Sequence, residues 1–286
     1  MRTRIITAVV AITCIFPIFW FSEPLGLDNP LSYLFPLLFA LIALVSVWEM
    51  LHCIGLDRNW FVSLPLYSAA FAAPLLMRVL RGHMHVYVRG ALLFAMVFAV
   101  YLFAVIVFHY GKVNIGKFAL AFMTCFYIIG ANAAVIFLRD VQQPGIGRLL
   151  FVIPFIFAWV TDSFAYFCGR QFGKHKLIPA VSPKKTVEGA IGGFIFCAVT
   201  AVVYGIIVSK CFHVTPNYWV LGFGGVAIGI VSQIGDLIMS AVKRDAGVKD
   251  YGWMLPGHGG LLDRFDSSMA VTVLLTVLTC YCPLFK

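Results

Sequence analysis

The chain has 286 residues, 62% of them hydrophobic and only 12% charged, with a mean hydropathy of +0.95. A water-soluble domain of this length needs far more polar surface, so the composition excludes one and predicts an all-α, polytopic integral membrane protein. The formal net charge of +9 is scattered over short loops without a long basic run or aromatic–basic interleaving. That pattern excludes a nucleic-acid binder and suits anionic lipid head groups or phosphorylated substrates.

In chain order the hydropathy predicts about nine spans: 5–21, 32–48, 61–77, 90–110, 118–138, 149–169, 187–208, 219–241 and 267–284. The first follows Arg2 and Arg4 and is not succeeded by a small-residue cleavage site, so it reads as a retained helix rather than a signal peptide. Pro17, Pro36, Pro65, Pro74 and Pro154 fall inside spans and are candidates for kinks. Gly189/Gly193 and Gly225/Gly229 have the spacing that lets helices approach closely. Residues 1–150 form a region of about five helices, and 151–286 form a second region with two polar loops, 170–186 and 242–264. The eight cysteines include no C-x-x-C pair and read as small buried hydrophobes rather than a disulfide or zinc framework.

Lys and Arg set the orientation. With the N-terminus inside, the inner tail and loops carry 14 of the 21 basic residues and the outer ones carry 7. This bias predicts a cytoplasmic N-terminus and places loops 170–186 and 242–264 on the same, cytoplasmic side.

Chemistry concentrates after residue 158. Asp162 lies within the sixth predicted span, where a carboxylate is a functional candidate by default. Ser182-Pro183-Lys184-Lys185-Thr186 places hydroxyls and cations just before a helix with Glu188 in its first turn. All of these groups except the Glu188 carboxylate donate to phosphate, although a simple helix cap explains much of the same pattern. Gly169 to Lys174 is not a P-loop, because the glycines are too close and His175 stands where a hydroxyl is needed. Residues 240–266 then pack nine ionisable groups into 27 positions. Asp236, Ser240 and Lys243 share one helical face. Asp263 and Asp266 do so too if a helix starts near Gly260. The three carboxylates Asp236, Asp263 and Asp266 suit a hard divalent cation such as Mg²⁺. Lys243, Arg244 and Lys249 can neutralise phosphate, and the glycines around His258 let backbone N–H groups approach a ligand.

The pattern S-x-x-K-R-x-x-x-x-K-D-x-G-x-x-x-P-G-H-G-G-x-x-D-R-x-D resembles the signature of phosphatidate cytidylyltransferases (CDP-diacylglycerol synthases) of the bacterial type. It is filled by Ser240, Lys243, Arg244, Lys249, Asp250, Gly252, Pro256, His258, Gly259, Gly260, Asp263, Arg264 and Asp266. Ser182 to Gly189, and Asp162 with Ala165-Tyr166 and Gly169-Arg170, are similar to further elements of that family. The resemblance implies cytidylyl transfer from CTP to phosphatidate with release of pyrophosphate. It also implies Mg²⁺ with a second, monovalent cation left open, a homodimer, and a place among the lipids of the bacterial inner membrane.

On that reading Asp236 and Asp263 ligate Mg²⁺, with Asp266 as a further ligand or holder. Lys243, Arg244 and Lys249 bind phosphate, Ser240 positions it, and His258 donates to phosphate or pyrophosphate. Asp162, Arg170, Ser182, Lys184, Lys185, Thr186, Glu188, Asp250 and Arg264 complete the candidate substrate site. Two rivals remain: a CTP-dependent polyprenol kinase, and a transporter. The transporter predicts charges spread through many spans, whereas these cluster at one membrane face.

Overall fold

Apolar backbone in lipid has no water to satisfy its N–H and C=O groups, so each long apolar run closes its own hydrogen bonds as a helix. A computed structural model describes residues 29–110, 114–140, 146–254 and 259–285. Its helices are α1 (Leu34–Ile54), α2 (Trp60–Val79), α3 (Met84–Phe108), α4 (Ile115–Arg139), α5 (Ile146–Phe172), α6 (Val187–Phe212), α7 (Tyr218–Asp245) and α8 (Leu262–Tyr281). A short antiparallel hairpin, β1 (Lys176–Ile178) with β2 (Ser182–Thr186), joins α5 to α6.

Among the described residues there are thus eight long helices rather than nine, and seven of them are long and apolar enough to cross a membrane. The predicted span 5–21 lies outside the described residues. The last predicted span, 267–284, is α8, which starts earlier, at Leu262. Asp263, Arg264 and Asp266 in its first turns hold its apolarity below that of the other seven. The chain is a multi-pass, all-α membrane protein apart from the hairpin. The hairpin corrects the expectation of a plain loop over 170–186: α5 continues to Phe172, and extended backbone follows.

The chain divides into two compact units, Met1–Asp140 with Asp250–Asp263, and Val141–Lys249 with Arg264–Lys286. In the first, α1, α2 and α4 pack together around Phe35, Phe39, Met50, Leu51, Leu66, Phe118 and Ile128, all buried. Helix α3 touches α4 only lightly, through Phe94 and Phe98 against Phe122 and Phe126, and α2 through the Tyr101 hydroxyl, which donates to the Phe61 carbonyl at 3.1 Å. Gly55 closes α1 in the left-handed region at φ 73°, where a side chain would be strained. Across this turn the His52 Nδ1 lies 2.9 Å from the Asp57 carboxylate, and this hydrogen bond holds Asp57 below the usual carboxylate range. At the other end of the unit, Arg78 donates to Asp140 at 2.9 Å with both side chains buried, and Arg139 lies over the Phe35 ring at 4.2 Å.

The second unit is built on α5, α6 and α7, with glycines at the crossings. A Cβ at Gly189 would meet the Ala165 carbonyl at 2.5 Å, and one at Gly193 the Thr161 carbonyl at 3.0 Å. At Gly225 and Gly229 the obstacles are the backbones of Ala198 and Phe194, at 2.7 and 2.6 Å. The spacing read in the sequence is therefore one of close helix packing. Thr186 caps α6 by accepting from Gly189 N at 3.2 Å, and Asn217 caps α7 by accepting from Val220 N at 3.4 Å. In α8, Ser268, Thr272, Thr276 and Thr279 return their hydroxyls to carbonyls within their own helix.

Candidate active site

Within the second unit, three helices each bring one carboxylate to the same region. Asp162 comes from α5, Asp236 from α7 and Asp266 from α8; Asp236 acts electrostatically on the other two, and Asp162 on Asp266. Helix α8 reaches this place because residue 235 has no side chain. A Cβ on Gly235 would lie 2.6 Å from the Ala270 Cβ and 3.0 Å from the Asp266 carbonyl. The glycine beside Asp236 thus fixes how near Asp266 can come.

Each carboxylate has its own partners. One oxygen of Asp236 is ion-paired with Lys185 of β2, and the other accepts from the Ser240 hydroxyl at 3.2 Å, one turn along α7. Asp162 Oδ2 accepts from the Ser267 hydroxyl at 3.1 Å. Asp266 is 8% exposed, accepts from Ser267 N at 2.8 Å, and interacts electrostatically with Lys243, which is 7% exposed. Three acids therefore meet two lysines, with Asp162 exposed, Asp236 half-buried and Asp266 buried. Among the described residues no three carboxylate, imidazole or thiol groups already meet as a metal cage. The donors present are nonetheless hard carboxylate oxygens, which fit a small divalent cation.

The hairpin and the end of α7 cover the same end of this unit. Arg244 donates to the Val181 carbonyl at 3.4 Å and to the Val248 carbonyl at 3.2 Å. Segments 170–186 and 242–249 thus lie together. Lys184, Arg170 and Lys249 are exposed there and Ser182 is half-buried. Thr186 is committed to its cap. Glu188 is committed to the chain between α5 and β1: it accepts from Lys174 N at 3.1 Å and from His175 N at 3.2 Å, and takes the His175 ring at 2.6 Å. It sets where the hairpin leaves the helix. Arg264 is exposed on the first turn of α8.

In the first unit, Asp263 turns back on its own segment. Its Oδ2 accepts from Gly260 N at 3.0 Å and from Tyr251 N at 2.9 Å. Gly259 beside it has φ 84°, a conformation that favours glycine, and Asp250 is exposed. The sequence suggested that the amides of this glycine-rich loop are open to a ligand. Within that loop the amide of Gly260 is instead already given to Asp263, residues 255–258 lie outside the described residues, and just after the loop the amides of Leu261 and Leu262 go to Glu49. His258 lies outside the described residues.

Four residues of this arrangement escaped the sequence reading. Glu49 of α1 is fully buried and accepts from Leu261 N and Leu262 N. Gln233, one turn before Asp236, donates to the Ala190 carbonyl at 3.0 Å and ties α7 to α6. Ser267 holds Asp162, and His175 holds Glu188. Glu49 had a usable signal, being an acid inside a long apolar run, the same signal that marked Asp162.

The sequence matches the Cytidylyltransferase family over residues 2–282. A Staphylococcus epidermidis protein named Phosphatidate cytidylyltransferase is 34% identical over 281 residues, covering 97% of this chain and 98% of the relative. Staphylococcus haemolyticus and Staphylococcus aureus proteins of the same name are 34% and 33% identical, again over 97% of this chain and 98% of each relative.

Proposed function

Because the chain belongs to the Cytidylyltransferase family, we propose that it transfers the cytidylyl group of CTP to phosphatidate, yielding CDP-diacylglycerol and pyrophosphate. The observation that carries this reading is the meeting of Asp162, Asp236 and Asp266 with Lys185 and Lys243 in one unit. Such a set suits the joining of two phosphorylated substrates at a membrane surface.

The phosphatidate phosphate attacks the α-phosphorus of CTP in line, and pyrophosphate leaves. The nucleophile is a phosphomonoester with a second pKa of about 6, so it arrives largely ionised and needs no strong base. The difficulty is electrostatic: two anions must meet, and charge must be stabilised on the leaving group. Lys185, Lys243, Arg244 and Lys249 are the cations for that task, with Lys184 and Arg170 drawing anions to the surface. Ser240 and Ser182 orient phosphate oxygens.

Asp236 and Asp263 would hold Mg²⁺, as the sequence leads one to expect, with Asp266 as a further ligand or holder and Asp162 shaping the charge beside Asp236 and Asp266. The ion would neutralise triphosphate charge and the charge developing on pyrophosphate. The reading places the protein in a bacterial cytoplasmic membrane with loops 170–186 and 242–264 in the cytoplasm. The test is pyrophosphate release by detergent-purified protein. It should require CTP, phosphatidate and Mg²⁺ together, and release without phosphatidate would oppose the proposal.

A further inference from the structure

We infer that Glu49 is a positioning residue, which anchors the chain leading into α8 and so sets Asp263 at the start of that helix. The inference rests on the proposed role of Asp263 in cytidylyl transfer. Helix α1 carries no other acid, and this one is fully buried. A carboxylate is costly to bury unless its oxygens are met by donors. Here each oxygen has one: Leu261 N donates to Oε1 at 2.9 Å and Leu262 N to Oε2 at 2.7 Å. These amides stand at the start of α8, where a helix has no internal acceptor for its first N–H groups.

The fit is close on two sides. A Cβ at Gly252 would lie 2.5 Å from Glu49 Oε1, and one at Gly260 would lie 2.7 Å from Oε2. Asp263, within electrostatic range of Glu49, takes the amides of Tyr251 and Gly260. The two carboxylates thus grip the same two pieces of chain, 251–252 and 260–262. Fixing that backbone fixes Asp263. A residue needed only to fill space in α1 would be apolar. The charge at Glu49 is spent on amides of a distant segment that carries chemistry.

The test combines amide exchange with kinetics on the full-length protein. In Glu49→Gln one backbone donor faces an amide NH₂ in place of an acceptor, so exchange over 250–263 should quicken by about tenfold or more. Exchange in α5, α6 and α7 should be unchanged. The Mg²⁺ concentration for half-maximal turnover should rise by about tenfold, and Glu49→Asp should restore part of it. If Glu49→Gln does not fold, Gly252→Ala displaces the same carboxylate from the loop side and should give the same pattern. Unchanged exchange over 250–263, or equal quickening across the whole protein, would overturn the inference. Exchange is read without substrate, so it decides the anchor even if the wild-type protein releases no pyrophosphate. That second result would count against the proposed function alone.

Discussion

Lys185 at the end of β2 is ion-paired with Asp236 of α7, the residue whose other oxygen takes the Ser240 hydroxyl. The hairpin and the helix are therefore joined by charge at the centre of the candidate site. If the pair acts as one unit in catalysis, its parts should not add. Asp236→Asn should lower kcat by about 100-fold or more and Lys185→Met by about the same, as for other groups that stabilise developing charge. The double variant should be little worse than Asp236→Asn alone, as read from initial rates of pyrophosphate release.

Gly235 should tolerate nothing larger. Gly235→Ala puts a methyl 2.6 Å from the Ala270 Cβ, against backbone on one side and a packed helix on the other. Overpacking of this kind costs about 1–3 kcal/mol, and moving α8 also moves Asp266. Gly222 lies on the same helix, and a methyl placed there would meet nothing within 4 Å. Gly222→Ala should leave Tm and activity near wild type, while Gly235→Ala lowers both.

Thr186 is a cap that also stands beside the cations of β2. Thr186→Ala removes the acceptor for Gly189 N and should destabilise the protein by about 1 kcal/mol, with Thr186→Ser nearly silent. Thermal unfolding in detergent measures the difference. A Thr186→Ser variant that is stable yet inactive would assign the methyl a role that the cap does not explain.

The buried Arg78–Asp140 pair lies in the first unit and is not part of the candidate site. Breaking a buried pair from one side strands a charge and costs about 3–5 kcal/mol. Asp140→Ala should therefore lower Tm sharply, while the kcat of the surviving enzyme changes little. A large fall in kcat at wild-type stability would contradict this.

Much of the site was legible because charge in an apolar chain is rarely idle. Asp162 and Asp236 stood out as carboxylates inside spans, and the 3.6-residue period placed Ser240 on the same face as Asp236, where it donates. Thr186 was readable as a cap from the acid and apolar run after it. Glu49 was passed over because it sits near the end of its span, where a lone acid passes for a water-facing residue. Its partners are backbone amides far along the chain, and no side-chain pattern advertises them. The hairpin was hidden because Lys176–Ile178 is too short to show an alternation of faces. The engagement of Glu188 with the His175 region depends on that hairpin. The small residue at 235 could be counted in advance, but only the packed helices show that it governs the approach of Asp266.

The most direct test of the whole account follows the phosphorus of CTP. Purified protein is given phosphatidate, Mg²⁺ and CTP labelled at either the α- or the γ-phosphate. Cytidylyl transfer predicts that the α-label enters the lipid fraction as CDP-diacylglycerol while the γ-label leaves as pyrophosphate. Transfer of the γ-label to lipid with formation of CDP, as a CTP-dependent lipid kinase would give, would contradict it.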